Sequence, residues 1–214
     1  MSNKKQNKEY RQSFSAVNLS NYEKPEVREE YGKGWVSFGN DNENYFQMLI
    51  DRSLSSPTNN RCIKGISDMI YGRGIEATDS KYKPDMFAEM KQMMKSRDLK
   101  RIASDFKLLG QSAAQIVYNK NKTKVLKVLH YPMETLRAEK AVNGEIRGWY
   151  YHPNWNDLKT GDSPKRIPSF KHGNNSQLNE IFVFKPYQSG FYYYSTADYH
   201  GCLQYAELEG EVSN

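Results

Sequence analysis

The sequence predicts an α+β fold in which an N-terminal helical part packs with an antiparallel β-rich part. Three observations predict it. From about residue 44 to 110, apolar residues recur three and four apart, which is the helical period. From 111 to 194 the period falls to two, the mark of strands. Within that stretch Asn143-Gly144, flanked by β-rich runs, is the strongest short hairpin signal in the chain. The 214 residues suffice for one domain with a real core or for two small lobes.

Residues 1–30 read as a flexible polar arm, basic at its start through Lys4, Lys5, Lys8 and Arg11. A solvated tail is preferred there to a phosphate-binding arm. Residues 31–214 form the α+β domain. Tyr31 to Gly39 is a short strand or an anchoring loop; Gly32 and Gly34 flank one lysine and lack the rest of a P-loop pattern. Asn44 to Leu54 is a helix with Tyr45, Phe46, Leu49 and Ile50 inward. The next helix starts at Pro57, which loses nothing at the first helical position, behind the capping Ser56. Two helices so closely joined are expected to form an antiparallel pair. Ile63, Ile66, Met69 and Ile70 share one face of the second helix, with Asn59, Asn60, Lys64 and Ser67 outward, and the rest of the chain is expected to pack around it. Gly72-Arg73-Gly74 follows. A phosphate cradle and a helix C-cap compete there, and the cap is preferred because the glycines follow a helix instead of opening one. Ile75 to Thr78 then leaves as a strand.

Pro84 opens a helix whose Met86, Phe87, Met90, Met93 and Met94 fall on one face, read as core in preference to a promiscuous groove. Asp98 caps a second helix carrying Leu99, Ile102, Ala103, Phe106 and Leu109, and Gly110 ends it. Ser112–Tyr118 and Lys124–Tyr131 are strands joined by a polar connection. Thr135–Val142 and Glu145–His152 flank Asn143-Gly144. Asp157 to Asn179 is a long exposed loop with a β-excursion at Arg166–Phe170, and Glu180–Phe184 is a further strand. Gly190-Phe-Tyr-Tyr-Tyr leads to Asp198 and a helix over 198–214, with Tyr199, Leu203, Ala206 and Leu208 on one face and Glu207, Glu209 and Glu211 outside. That helix reaches Asn214 without a terminating structure and reads as cut short.

No apolar run approaches the roughly 20 residues of a membrane helix, and the N-terminus has no apolar stretch of an export signal. Cys62 and Cys202 read as free thiols, and the four histidines show no metal-ligand spacing. A formal charge of +6 permits nucleic-acid contact without demanding it. Lys120, Lys122 and Lys124 on the first hairpin are the candidate DNA-contact residues. Protection of a sheet edge by lysine is the preferred alternative for them. Sixteen tyrosines, with large apolar bodies and polar tips, suit extensive protein–protein contact. Asp85, Glu89 and Lys91 imitate the acidic and lysine residues of a metal-dependent nuclease. They lie on one predicted helix, whereas that chemistry needs carboxylates from adjoining strands around a metal.

Three places in order carry a resemblance: Ile70-Tyr-Gly-Arg-Gly-Ile75 at the helix end, Val128-Leu-His-Tyr-Pro-Met-Glu-Thr-Leu-Arg137 running through Asn143-Gly144 to Trp149-Tyr-Tyr151, and Gly190-Phe-Tyr-Tyr-Tyr to Asp198-Tyr199. Together they resemble the N-terminal wing region of tailed-bacteriophage portal proteins, the head–tail connectors, of the crAss-like type. The resemblance implies a portal wing-like fold and a subunit of a ring, twelve-membered in the family, at one capsid vertex of the virion. Implied partners are further copies of itself, the major capsid protein, the terminase, head-completion or tail adaptor proteins, and double-stranded DNA held without sequence preference. It implies assembly in the host cytoplasm and no catalytic residues; no cofactor and no metal are expected. Family members are longer and continue into stem, clip and crown segments. The residues also leave open a phage DNA-binding or DNA-processing protein and a tyrosine-rich adaptor.

Overall fold

A computed structural model describes residues 24–40, 43–159, 161–170 and 177–213. Lys4, Lys5, Lys8 and Arg11 of the basic arm lie outside them. β1 (Val27–Glu29) pairs with β2 (Val36–Asn40) and sets Val27 opposite the buried Phe38. A two-residue β3 (Glu43–Asn44) completes this antiparallel sheet.

Asn44 caps α1 (Tyr45–Ser55) by accepting the Phe46 N–H at 3.2 Å, and Tyr45, Phe46 and Leu49 are buried. Ser56 serves both neighbours. Its N–H closes α1 on the Arg52 carbonyl, and its Oγ accepts the Asn59 N–H to open α2 (Pro57–Tyr71). A joint of one residue leaves no loop for folding back. The expected antiparallel pair therefore does not form: α1 leans on α5, and α2 on α4.

Nor does the chain pack around α2. Ile63 and Ser67 are its buried residues, and the Ser67 hydroxyl, expected to face water, returns to the Ile63 carbonyl at 2.8 Å. Ile66, Met69 and Ile70 stay exposed. Ile75 to Thr78 is not a strand; with no neighbour to ladder against, the chain turns through Ala77–Tyr82 into α3 (Pro84–Met93). That helix buries no residue, so the methionine stripe is not core: Met86 is exposed, and only Met93 and Met94 reach a buried cluster. In α4 (Ser96–Leu109) the cap position belongs to Lys95, which makes no side-chain cap bond. Asp98 sits buried in the first turn, where the helix dipole favours a carboxylate.

Past Gly110 the strands follow. β4 (Ser112–Tyr118) is the middle of a three-stranded antiparallel sheet, between β5 (Val125–Tyr131) and β9 (Asn179–Phe184). β6 (Leu136–Ala138), β7 (Gly148–Tyr151) and β8 (Lys165–Pro168) make another; β8 is the expected excursion within the long loop. Asn143 and Gly144 take φ of 53° and 75°, the left-handed pair that matches the strand twist in a two-residue hairpin. The sheets are stitched together by single bridges, Trp35 to Glu139 and Ser169 to Ile181. After a 3₁₀ turn, α5 (Leu203–Ser213) buries Leu203 and Ala206, while Leu208, expected inside, is exposed.

The core is organised around an irregular strap, residues 190–199. A buried strap must satisfy its polar groups and those it covers. Its tyrosines do so across the molecule. The Tyr194 hydroxyl accepts the Ala138 N–H at 2.8 Å and donates to the Val36 carbonyl at 2.6 Å, splicing the β1–β2–β3 sheet to the β6–β7–β8 sheet beside the Trp35–Glu139 bridge. Its ring stacks on Phe38, centroids 4.6 Å apart. Tyr193 repeats the device, accepting from Ala141 N–H and donating to Glu29. Gln111 accepts the Ser195 N–H, Tyr45 accepts the Ala197 N–H, and Lys107 grips Asp198 at 2.7 Å. Burial pushes the Tyr194 phenol up to about 12, so it stays a neutral donor.

Candidate functional site

Lysines concentrate where β4 turns into β5. Asn119 accepts the Thr123 N–H at 2.8 Å with its side chain and the Lys122 N–H at 2.9 Å with its carbonyl, and Lys122 takes φ of 56°. This local ring of bonds carries Lys120, Lys122 and Lys124 at the tip. Lys124 forms an ion pair with Glu89 of α3, so the tip lies against that helix. Residues 81–127 hold twelve Lys and Arg against four Asp and Glu. That excess is larger than the +6 of the whole chain, so the remainder is slightly acidic and the basic character is local.

The nuclease-like trio stays apart. Asp85, Glu89 and Lys91 are all exposed, Glu89 is taken up by Lys124, and the Lys91 ammonium sits over the Phe87 ring at 4.3 Å. Among the described residues no group of three or more His, Cys, Asp or Glu is placed to hold a metal ion. At the glycine turn, Gly72 N–H goes to the Asp68 carbonyl and Gly74 N–H to the Tyr71 carbonyl, both at 2.9 Å. A phosphate cradle needs those donors pointing outward; here they close the helix. Cys62 and Cys202 are exposed free thiols. No helix among the described residues is long and apolar enough to cross a membrane.

One surface is not legible in the residues alone. The C-terminal end of α2, α4 and the strands β4 and β9 border an open groove of about 340 Å³, lined by Ile70, Tyr71, Leu99, Phe106 and Phe184 among others. Exposed apolar surface of this kind is a candidate interaction site. Lys100 lies at the rim with its ammonium 4.9 Å from the Tyr71 ring centroid, and Arg73 projects from the glycine turn. The helical spacing of Ile66, Met69 and Ile70 is the available signal, and by itself that spacing reads as core.

Of the buried charges, Arg137 is 3% exposed. Its guanidinium donates to the Leu136 carbonyl at 2.8 Å and lies over the rings of Phe46 and Trp155. Burial lowers it to about 10, which leaves it charged at neutral pH. Burial raises the Glu134 carboxyl above its ordinary range. Arg137 therefore holds α1 and the β6 region together from within and offers nothing to a substrate.

No protein-family model matches the chain, and no curated protein matches it. Among solved structures it is similar in fold to a chain from "Neck of empty GTA particle computed with C6 symmetry", with a TM-score of 0.62 at 10% identity. The match covers 80% of this chain and 45% of that one, so the present chain spans less than half the length of the chain it matches. At that identity the likeness is one of fold.

Proposed function

We propose that this chain is a structural component of a phage-like virion: the wing portion of a portal subunit in a ring at one capsid vertex, through which DNA is packaged and ejected. In this reading it holds neighbours sideways and breaks no bonds. The observation that carries it is the fold likeness, over 80% of the chain, to a chain of a particle neck. The ordered set of Ile70–Ile75, Val128–Tyr151 and Gly190–Tyr199 supports the same reading. A twelve-membered ring contains a six-fold axis, so the symmetry of that neck accords with the stoichiometry the resemblance implies. Its partners in this reading are further copies, the major capsid protein, the terminase, adaptor proteins and DNA. Native mass measurement with electron microscopy of the gene product at its native length tests it. Closed rings of about twelve subunits, a size taken from the family resemblance, are expected from heterologous side contacts; a monomer or dimer at every concentration used would overturn it.

Non-specific DNA contact at the lysine hairpin is favoured by the local charge excess of residues 81–127. Replacing Lys120, Lys122 and Lys124 together by alanine should weaken duplex binding equally for unrelated sequences. It should also reduce the salt slope of log K by up to about 0.9 for each phosphate no longer neutralised. A slope unchanged by the triple substitution would place any DNA contact elsewhere.

A further inference from the structure

We propose a second phosphate contact for the DNA backbone, in the cavity where the glycine turn, the end of α3 and the start of α4 meet. The inference rests on the DNA-contact reading above and extends it beyond the hairpin. The cavity holds about 150 Å³, room for one phosphate group, and Arg73, Lys91 and Ser96 are among the residues that line it. None of its lining residues is acidic. Arg73 and Lys91 are exposed and form no ion pair with a carboxylate among the described residues. The Lys91 ammonium sits over the Phe87 ring at 4.3 Å, which steadies it without neutralising it. Ser96 adds a hydroxyl that donates a hydrogen bond. Like charges brought to one cavity repel unless an anion lies between them. An anion is therefore the occupant whose charge matches this lining. The backbone of the glycine turn takes no part, since the Gly72 and Gly74 N–H groups close the helix; the turn contributes the Arg73 side chain.

The position of the cavity favours a nucleic-acid backbone over a lone anion. The hairpin tip lies against α3 through Lys124 and Glu89. Lys91 is two residues further along the same helix and so on another side of it. Hairpin and cavity thus flank α3, separated by roughly the 10–12 Å diameter of a helix. Duplex DNA carries one charge for about every 1.7 Å of its axis, so a duplex laid across α3 supplies phosphates to both. Contacts of this kind fix the position of the duplex and read no sequence.

Binding of the full chain to labelled duplexes of two unrelated sequences, titrated over a range of salt, tests it. Arg73→Ala combined with Lys91→Ala is expected to reduce the salt slope of log K by up to about 0.9 for each cation removed. At about 0.1 M salt that corresponds to a loss of affinity of up to about eightfold per cation, equal for both sequences. Arg73→Lys combined with Lys91→Arg keeps both charges and is expected to keep the slope. Both residues are exposed, so the melting curves of the two double variants should match that of the unsubstituted protein. A slope unchanged in the alanine pair, or a charge-keeping pair that loses as much as the alanine pair, would overturn the site. If the hairpin triple substitution lowers the slope and the cavity pair does not, the site fails while the DNA reading stands. If the unsubstituted protein binds no duplex, the DNA reading fails and the site falls with it.

Discussion

Tyr194→Phe is expected to lower the stability of the domain by about 3 kcal/mol, although it removes a single oxygen. The hydroxyl accepts from Ala138 N–H and donates to the Val36 carbonyl, and both of those residues are fully buried. Each backbone group left unpaired away from water costs roughly 1–3 kcal/mol. The ring stays stacked on Phe38, so the loss reads the hydrogen bonds and not the packing. In a domain of this size it corresponds to a fall in Tm of roughly 10 °C. The control is Tyr205→Phe on the exposed face of α5, expected to change stability by no more than about 0.5 kcal/mol. Urea unfolding of both variants checks it; a Tyr194→Phe midpoint equal to that of the control would show that the two sheets are not joined through this phenol.

Gly110→Ala should cost about as much, through geometry instead of chemistry. Gly110 ends α4 at φ 77°, a left-handed conformation that costs an L-residue roughly 1–2 kcal/mol. The added methyl would also stand 2.3 Å from the Thr196 carbonyl oxygen and 2.6 Å from Ala197 N. Those atoms cannot move aside cheaply. Ser195 Oγ donates to the Gly110 carbonyl, Thr196 N–H to Gln188 and Ala197 N–H to Tyr45. Overpacking against a fixed neighbour adds roughly 1–3 kcal/mol, for a total of about 3–4 kcal/mol. At Gly65, within α2, the same substitution meets nothing within 4 Å and should stabilise by roughly 0.5–1 kcal/mol. Opposite shifts of the denaturant midpoint at the two glycines are the expected result; equal shifts would mean that the strap yields to the methyl.

The features legible in the residues are the ones whose chemistry is local. Ser56, Pro57 and Gly72 mark both ends of α2, and Asn143-Gly144 marks its hairpin, because a cap or a turn involves residues a few positions apart. The face that a helix buries is decided elsewhere in the chain. The spacing of Ile63, Ile66, Met69 and Ile70 is real, yet of these only Ile63 is buried, together with Ser67, while Ile66, Met69 and Ile70 stay exposed and Ile70 lines an open groove. The strand expected at Ile75–Thr78 fails for the same reason: its propensity meets no partner edge. Composition presents tyrosine as a residue for contact between proteins. Tyr205 is exposed, but Tyr193 and Tyr194 are core residues, because their hydroxyls answer groups some 50 to 160 positions away. No window of sequence contains both partners of such a bond. The lysine hairpin is visible for the opposite reason, since Asn119 organises its tip within five residues.

The position of the strap along the chain sets the order in which the molecule can be made. Tyr193 closes on Glu29 and Tyr194 on Val36, across 164 and 158 residues. A ribosome adding about 5–20 residues per second therefore exposes the N-terminal sheet and α1 for roughly 10 s or longer before their closing residues exist. Long-range closures of this kind also slow the search after release. Until Tyr194 arrives, Val36 and Phe38 remain open to neighbours on the same polysome, and the nascent chain passes through a period in which sticking competes with maturation.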